Sequence, residues 1–178
     1  MNFVNLTHEV RALMVEEIDR DIAAGTLYCS ERFDEDRSDA YPGLLREAAG
    51  NANADWLERA IDFNGMMKSR ESRRLKGGRV VMAAVPHTAA QTFAEGEFNR
   101  FYLRALCRFT LEKGGTELEI YRAKRVEHPR YDSESRIGRR INAEALLEDL
   151  RTSTSVETAM RLPAGPNSGL SAKLIEIQ

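Results

Sequence analysis

The sequence predicts an α+β fold, in which an N-terminal helical subdomain packs on a small sheet with one long central helix and an extended C-terminal arm. In the first third of the chain, and again over residues 88–113, apolar side chains recur every three or four residues, which is the period of a helix. Residues 79–85 are β-branched and apolar, as a buried strand is, and residues 116–126 alternate between apolar and polar side chains, as a half-buried strand does. At 178 residues, the chain is long enough to bury a core without disulfides or metal ions.

Residues 1–65 are predicted to form an acidic helical subdomain. Its first helix carries an apolar stripe from Val10 to Ile22. Each of its three helices is marked by residues that favour helix ends, with a capping side chain or a proline at the start and a glycine at the end. These boundaries are Thr7 and Gly25, then Pro42 and Gly50, then Asn51 or Asn53 and Gly65.

The rest of the chain is predicted to divide into three parts. Residues 66–78 form a basic connection with a turn at its paired glycines. Residues 79–162 form a strand-helix-strand core with C-terminal helices, in which Thr88 opens the long helix through a capping box and Asn142 caps a later one. Residues 163–178 form an extended arm, whose segment LSAKLIEI is suited to adding a strand to a neighbouring sheet.

Charge is distributed unevenly along the chain. Residues 1–64 hold 14 acidic and 6 basic side chains, a net charge of −8, whereas residues 65–178 hold 14 acidic and 20 basic ones, a net charge of +6. The segment KSRESRRLKGGR, residues 68–79, has six basic side chains against Glu71 alone. Such polarity is expected when the acidic part of a protein meets the basic part of another copy, when the basic part meets nucleic acid, or when two solvent faces simply differ in charge.

Three arginines lie four residues apart in the long helix, at Arg100, Arg104 and Arg108. Like charges at this spacing destabilise an isolated helix by roughly 0.2–0.5 kcal/mol each, so a neutralising partner is expected. Glu97 and Glu112 can each pair with one end of this arginine stripe. The partner of Arg104 is predicted to be a protein carboxylate, from residues 1–64 or from another copy, and a phosphate backbone is the alternative.

A few residues are similar to those of the ADP-ribosyltransferase superfamily, in which an arginine on one strand precedes a Ser-Thr-Ser strand and a Glu-x-Glu loop. Here Arg122 lies in EIYRAK, and Ser153, Thr154 and Ser155 follow in RTSTSVE. No Glu-x-Glu follows them, and Glu176 stands alone near the C-terminus. The resemblance implies an ADP-ribosyltransferase-like enzyme as the third-ranked function, while a helix cap at Thr154 accounts for part of the same pattern.

No other pattern predicts catalysis, a metal site or a cofactor. The acidic turn DEDRSD imitates the start of a calcium loop, but Asp39 stands where such a loop needs glycine and Leu45 where it needs glutamate. The three histidines and two cysteines lack the paired spacing of a zinc site. The sequence therefore predicts no catalytic residue, no metal and no cofactor, and an enzyme is not expected.

The predicted function is that of a non-enzymatic structural protein, which associates with copies of itself or docks on a larger complex. In size and composition the chain resembles the small uncharacterised virion and prophage-type proteins of tailed phages. This resemblance implies a head, connector or decoration protein, synthesised in the cytoplasm and located in the virion. The expected partners are a homo-oligomer or a larger protein assembly and no membrane, because no apolar run approaches the roughly 20 residues that span a bilayer.

The alternative function is that of a nucleic-acid-binding module with a basic surface. This surface would consist of residues 68–79, the arginine stripe of the long helix and the segment RIGRR, and it would bind phosphates in a salt-sensitive way. A pI of about 6.0 and the absence of a familiar nucleic-acid-binding motif count against it. Both hypotheses share the interaction candidates Arg73, Arg74, Lys76, Arg100, Arg104, Arg108, Arg139 and Arg140.

Overall fold

The computed structural model describes residues 1–162 and 168–175, and it confirms the α+β class. The α-helices are α1 (His8–Ala24), α2 (Tyr41–Asn51), α3 (Ala54–Phe63), α4 (Ala89–Glu112), α5 (Tyr131–Glu134), α6 (Ala143–Thr152) and α7 (Val156–Ala159). The strands are β1 (Arg70–Arg74), β2 (Val80–Ala84), β3 (Glu117–Arg122), β4 (Arg140–Asn142) and β5 (Leu170–Leu174). They form two antiparallel sheets, a two-stranded one of β1 and β2 and a three-stranded one in the order β4-β3-β5.

Helix α4 forms the centre of the molecule, as its apolar pattern predicts. Helices α1, α3 and α6 pack on it from different sides. Its side chains Phe98, Phe101 and Leu106 are completely buried. One cluster of buried apolar side chains extends from α1 to β5, so the helices of residues 1–65 share a core with the rest of the described chain.

Side-chain caps begin three of the helices where the sequence predicts them. The Thr7 hydroxyl accepts from the Val10 amide at the start of α1. Asn53 and Asn142 cap α3 and α6 in the same way. Each cap satisfies an amide that the helix itself leaves without an acceptor.

Two predicted caps need correction. Thr88 precedes α4, but its side chain makes no capping hydrogen bond, so the capping box is not formed. Its backbone explains why: the ψ angle of 6° departs from the extended conformation that a capping residue usually takes. Ser155, and not Thr154, caps α7, with its hydroxyl accepting from the Thr158 amide.

The three-stranded sheet is centred on β3, whose Leu118 and Ile120 are buried as the alternating pattern predicts. Strand β5 pairs with it antiparallel, from Leu118 opposite Leu174 to Arg122 opposite Leu170. The strand predicted in the C-terminal arm therefore joins the sheet of its own chain. The other parts of the predicted arm, 163–167 and 176–178, lie outside the described residues.

The predicted basic connection and the predicted buried strand together form a β-hairpin. Strand β1 lies within residues 66–78 and pairs with β2, from Arg70 opposite Ala84 to Arg74 opposite Val80. Strand β2 therefore shares no sheet with β3, and the expected strand-helix-strand unit does not form. A hairpin forms here because pairing across a short turn costs far less chain entropy than pairing across a long helix.

Residues 26–30 belong to no strand, and the segment between β3 and β4 contains the short helix α5. Within α4, a Cβ placed at Gly96 would meet nothing within 4 Å. In the described part of the chain, no helix has the length and the apolar run needed to cross a bilayer.

Candidate functional site

The hairpin of β1 and β2 belongs to the basic part of the chain, residues 65–178, and most of its residues are exposed. Strands β1 and β2 pack mainly on each other. A tight loop joins them, in which the Leu75 amide donates to the Arg79 carbonyl at 2.9 Å and Gly78 has a φ of 82°. Glycine takes this left-handed conformation without steric cost, so the paired glycines predicted as a turn do form one.

Positive charge is concentrated along this hairpin. Its one carboxylate, Glu71, accepts from Arg32 at 2.6 Å and from Arg73 at 2.9 Å. These two hydrogen bonds lower the pKa of Glu71, which keeps the carboxylate ionised. The remaining cations have no carboxylate within ion-pair distance in the described part of the chain. They are Arg70, Arg74, Lys76 and Arg79.

The two faces of the hairpin differ. Directly paired residues share a face, so Arg70, Ser72 and Arg74 lie beside Ala84, Met82 and Val80, and all six are exposed. The opposite face carries Glu71 and the half-buried Val81 and Ala83. The exposed face thus combines arginine with apolar side chains, of which Val80 is 55% and Met82 57% exposed.

An open groove of about 600 Å³ lies at the base of the hairpin. Three basic residues line it, Arg32, Lys68 and Arg70, together with the exposed Tyr28 and the Met82 side chain. The Tyr28 ring stands 6.0 Å from the ring of Phe93, which connects it to the body of the protein. The groove therefore joins the hairpin to the body of the protein beside one aromatic ring, and Glu31 and Glu71 in its lining offset part of its positive charge.

The arginine stripe of α4 points into the protein and meets carboxylates of α1. Arg104 is completely buried, and its guanidinium donates to Asp21 at 2.6 and 2.8 Å and to Glu17 at 2.9 Å. Arg108 donates to Glu16 at 2.8 Å. The predicted protein carboxylate is confirmed, and it belongs to the acidic N-terminal part of the same chain.

Glu17 is the centre of this buried charge cluster. It also accepts from Arg151 of α6 at 2.5 and 3.1 Å, so one carboxylate joins α1, α4 and α6. Burial opposes its charged form, but the hydrogen bonds from Arg151 and Arg104 outweigh burial and lower the pKa of Glu17. The cluster binds three helices together and leaves no free cation there for a partner.

Arg100 is held by an acid of its own helix. It is 3% exposed and donates to Glu97 at 2.6 Å, and Tyr41 donates to the same carboxylate at 3.4 Å. Burial raises the pKa of Glu97, against the opposing effect of Arg100. Like Arg104, Arg100 is an interaction candidate that the fold places inside the protein, where no outside partner reaches it.

The last two interaction candidates, Arg139 and Arg140, lie at the start of β4. Both are exposed, and Arg140 donates to Glu117 at 3.4 Å. They line a cleft of about 260 Å³ beside α6 and the end of α7. The eight candidates therefore separate into a group on α4, in which Arg100 and Arg104 are buried and Arg108 is partly exposed, a hairpin group of Arg73, Arg74 and Lys76, and this pair.

The residues similar to ADP-ribosyltransferases do not take that family's arrangement. Arg122 lies on β3, as the resemblance requires, but it donates to the Ser168 carbonyl at 2.7 Å and to Glu134 at 2.6 Å. Ser153, Thr154 and Ser155 connect α6 to α7 and form no strand. The expected Ser-Thr-Ser strand is therefore absent from the described chain, because Ser155 serves as a helix cap.

Sequence reasoning missed several residues of these surfaces. Tyr28 and Arg161 are far in sequence from the residues that they join, so no spacing rule brings them together, whereas Arg136 belongs to the predicted basic segment RIGRR. Arg70 and Arg79 stood within the basic segment but were not singled out. An alternation of apolar and polar residues over 70–74 would have predicted strand β1, but this segment has no apolar residue because most of its side chains are exposed.

Comparison with known proteins supplies no relative from which a role can be transferred. No family model matches the chain, and no curated protein and no solved structure matches it. The function must therefore be inferred from the chemistry of the sites themselves.

Proposed function

We propose that the protein binds duplex nucleic acid, with the basic β-hairpin as the binding element. The observation that carries the proposal is the set of four hairpin cations without a carboxylate partner among the described residues, on a ribbon exposed on one whole face. Phosphates are the natural partners of such a surface, because neutralising them releases counterions. The phosphate-facing set is Arg70, Arg74, Lys76 and Arg79.

The dimensions of the hairpin support this partner. Five paired residues extend for about 17 Å, and the two strands lie about 4.8 Å apart. The major groove of a duplex is about 12 Å wide and admits a two-stranded ribbon. The exposed face and the loop then bring Arg70, Arg74, Lys76 and Arg79 to the phosphates that border the groove.

The fold also weakens the reasons for preferring self-assembly. Acidic residues of α1 and basic residues of α4 and α6 neutralise one another inside the chain, so the difference in charge between the two parts needs no second copy. Strand β5 likewise pairs with β3 of its own chain. The basic hairpin, in contrast, keeps four cations that no carboxylate of the described residues neutralises.

The test is fluorescence anisotropy with a labelled duplex of random sequence at salt concentrations from 50 to 200 mM. We expect log Kobs to fall with log salt with a slope of roughly −3, because each neutralised phosphate contributes about −0.9. The triple variant R74A/K76A/R79A removes three cations whose side chains make no hydrogen bond among the described residues. It should reduce the slope to roughly −1 and weaken binding at least about tenfold at 100 mM salt.

A matched control removes the same total charge elsewhere. Arg20, Arg59 and Arg125 are exposed and lie outside the hairpin, so R20A/R59A/R125A changes the net charge equally. We expect this control to keep the wild-type salt slope. Equal losses in both triple variants, or no binding by the wild-type protein at 50 mM salt, would contradict the proposal.

A second candidate function, docking on a protein assembly, is favoured by one observation. Val80 and Met82 are more than half exposed on the same hairpin face as the arginines, which is the mixed composition of a protein interface. Light scattering separates the two functions. A mass above that of the 20.1 kDa chain that returns to the monomer in a V80S/M82S variant, together with no binding to duplex, would favour assembly.

A further inference from the structure

A second arginine-rich surface lies away from the hairpin, in the cleft beside α6. The cleft has a volume of about 260 Å³ and is bounded by β3, β4, α6 and the end of α7. Four arginines line it, Arg136, Arg139, Arg140 and Arg161, with Asp149 as its one acidic residue. The lining therefore carries an excess of three positive charges.

These arginines are not neutralised by the described chain. Arg136 donates to the backbone carbonyl of Arg161 at 2.9 Å, which leaves both charges in place. Arg140 has only the long contact of 3.4 Å to the exposed Glu117. No carboxylate among the described residues lies within ion-pair distance of Arg136, Arg139 or Arg161. Four arginines line one small cleft that has a single carboxylate, and such a lining favours an anion that accepts from more than one guanidinium.

The backbone of Arg161 gives an independent argument. Its φ of 58° is the one left-handed angle of a non-glycine residue in the described chain. The bonds that close the turn, from the Leu162 amide to the Glu157 carbonyl at 2.8 Å and from the Arg161 amide to the Thr158 carbonyl at 2.9 Å, form a helix end that normally takes glycine. The left-handed backbone makes arginine conformationally costly at this position. Residues with strained backbone angles of this kind cluster at active and binding sites.

The rest of the lining is mixed, with Asn142 beside apolar residues. Of the apolar residues, Ile141 and Ala145 are open to solvent and form the accessible floor, whereas Ile120, Leu146 and Met160 are almost completely buried beneath them. Pockets for drug-sized ligands begin at roughly 300 Å³, so this cleft suits a compact anion with a modest organic part. A phosphate group fits the charge, because it carries about two negative charges at neutral pH and offers three acceptor oxygens.

We propose that this cleft binds a small phosphate monoester, with Arg139 and Arg161 on the phosphate and the apolar floor under the organic group. The site is separate from the hairpin, and it does not depend on nucleic-acid binding. Arg136, fixed by the Arg161 carbonyl, holds the turn that presents Arg161 to the ligand.

Isothermal titration calorimetry with inorganic phosphate, AMP and succinate tests the proposal on the full-length protein. We expect AMP to bind at least about tenfold more tightly than inorganic phosphate, and succinate to bind more weakly than either. R139A should weaken AMP binding about tenfold or more. R161G should weaken it similarly while raising the Tm, because glycine relieves the left-handed backbone and keeps the carbonyl that Arg136 uses.

Two controls make the outcome decisive. R125A removes an exposed arginine outside the cleft, and R74A/K76A/R79A removes the hairpin cations, so both should bind AMP as the wild type does. AMP binding that falls equally in R125A would overturn the site, as would unchanged binding in a folded R161G variant. AMP binding no tighter than inorganic phosphate would overturn the role of the apolar floor. A 5′-phosphorylated oligonucleotide that competes for the cleft more tightly than AMP would overturn the choice of a small ester.

Discussion

Arg104 of α4 donates two hydrogen bonds to the carboxylate of Asp21 of α1, at 2.6 and 2.8 Å, and no part of its side chain reaches solvent. A fork of this kind places two parallel N–H donors on two carboxylate oxygens. The Arg104 guanidinium also lies 4.8 Å from the centre of the Phe101 ring. The pair thus fixes α1 against α4 inside an otherwise apolar core.

Removal of the Arg104 charge should be severely destabilising. R104M keeps much of the side-chain volume but leaves the buried Asp21 without its main cation and removes one of the arginines that neutralise Glu17, which costs about 3–5 kcal/mol. The double variant R104M/D21N should lose less than the sum of the two single changes, because it also removes one stranded acid. Urea unfolding measures each value. A loss below about 1 kcal/mol in R104M would show that the pair contributes little.

The conservative change R104K tests the geometry separately from the charge. Lysine keeps the positive charge but cannot make the planar pair of bonds to Asp21 while also reaching Glu17. We expect R104K to be clearly less stable than the wild type in urea unfolding. An R104K protein as stable as the wild type would indicate that charge alone is sufficient.

Two buried glutamates should give opposite dependences of stability on pH. The pKa of Glu17 is lowered in the folded protein, so its contribution is present above its ordinary value of 4.5 and is lost as the pH falls through the folded value. The pKa of Glu97 is raised, so the folded state binds its proton more tightly and loses stability as the pH rises above 4.5. Subtracting the unfolding free energies of E17Q and E97Q from those of the wild type between pH 3 and 7 isolates the two terms. We expect the E17Q difference to grow with pH below 4.5 and the E97Q difference to shrink with pH above it; parallel curves would contradict both assignments.

Arg161 is a position where glycine should stabilise the protein. A non-glycine residue in the left-handed region costs about 1–2 kcal/mol, and the greater freedom of glycine in the unfolded chain returns part of this. We therefore expect R161G to raise the free energy of unfolding by about 0.5–1 kcal/mol. R125G, at a residue without a left-handed φ, should be neutral or destabilising. A loss of stability in R161G would show that its side chain holds the fold.

Glycine-to-alanine changes at Gly96 and Gly25 should have opposite signs. A Cβ at Gly96 meets nothing within 4 Å, and alanine favours the middle of a helix by about 1 kcal/mol, so G96A should stabilise α4. Gly25 ends α1 with a φ of 66°, where alanine is strained, so G25A should cost about 1 kcal/mol. Thermal unfolding of both variants checks the pair. A G96A protein less stable than the wild type would mean that α4 needs the glycine for a reason other than packing.

Asn99 should hold β5 in place. Its amide donates to the Leu170 carbonyl at 2.8 Å and its carbonyl accepts from the Ser171 hydroxyl at 2.7 Å, all of them buried. Asn99→Ala leaves the buried Leu170 carbonyl without this donor and removes one partner of the Ser171 hydroxyl, which costs about 1–3 kcal/mol. Hydrogen exchange should quicken at the amides of Leu170–Leu174 more than in α4. Exchange that quickens equally throughout the protein would point to global unfolding instead.

The order and limits of most helices followed from the chain itself. The spacing of apolar residues, the caps at Thr7, Asn53 and Asn142, and the stop at Gly25 all act within one or two helical turns. Strand β3 was equally predictable, because alternation alone determines which of its faces is buried. Such local signals are strong because they depend on near neighbours.

The candidate sites were predicted only in part. The basic segment, Arg139 and Arg140 stand out in the sequence, but the hairpin that presents the first depends on which strand pairs with β1. The cleft depends on Arg161, which lies more than twenty residues from Arg139, and on a backbone angle that sequence does not display. Strand pairing and cleft formation bring together residues that are far apart in sequence, and a rule based on residue spacing predicts contacts between near neighbours alone.

The sequence by itself determined that α4 is a central helix bearing three arginines that need an acidic partner. Only the tertiary structure decided that Glu17 and Asp21 of the same chain are that partner, because the packing angle of α1 on α4 brings the two sets of side chains within hydrogen-bond distance. The same packing neutralises Arg104 in the core and the partly exposed Arg108, while Arg100 is paired within α4. It leaves the hairpin and the cleft beside α6 as the basic surfaces open to a ligand in the described part of the chain.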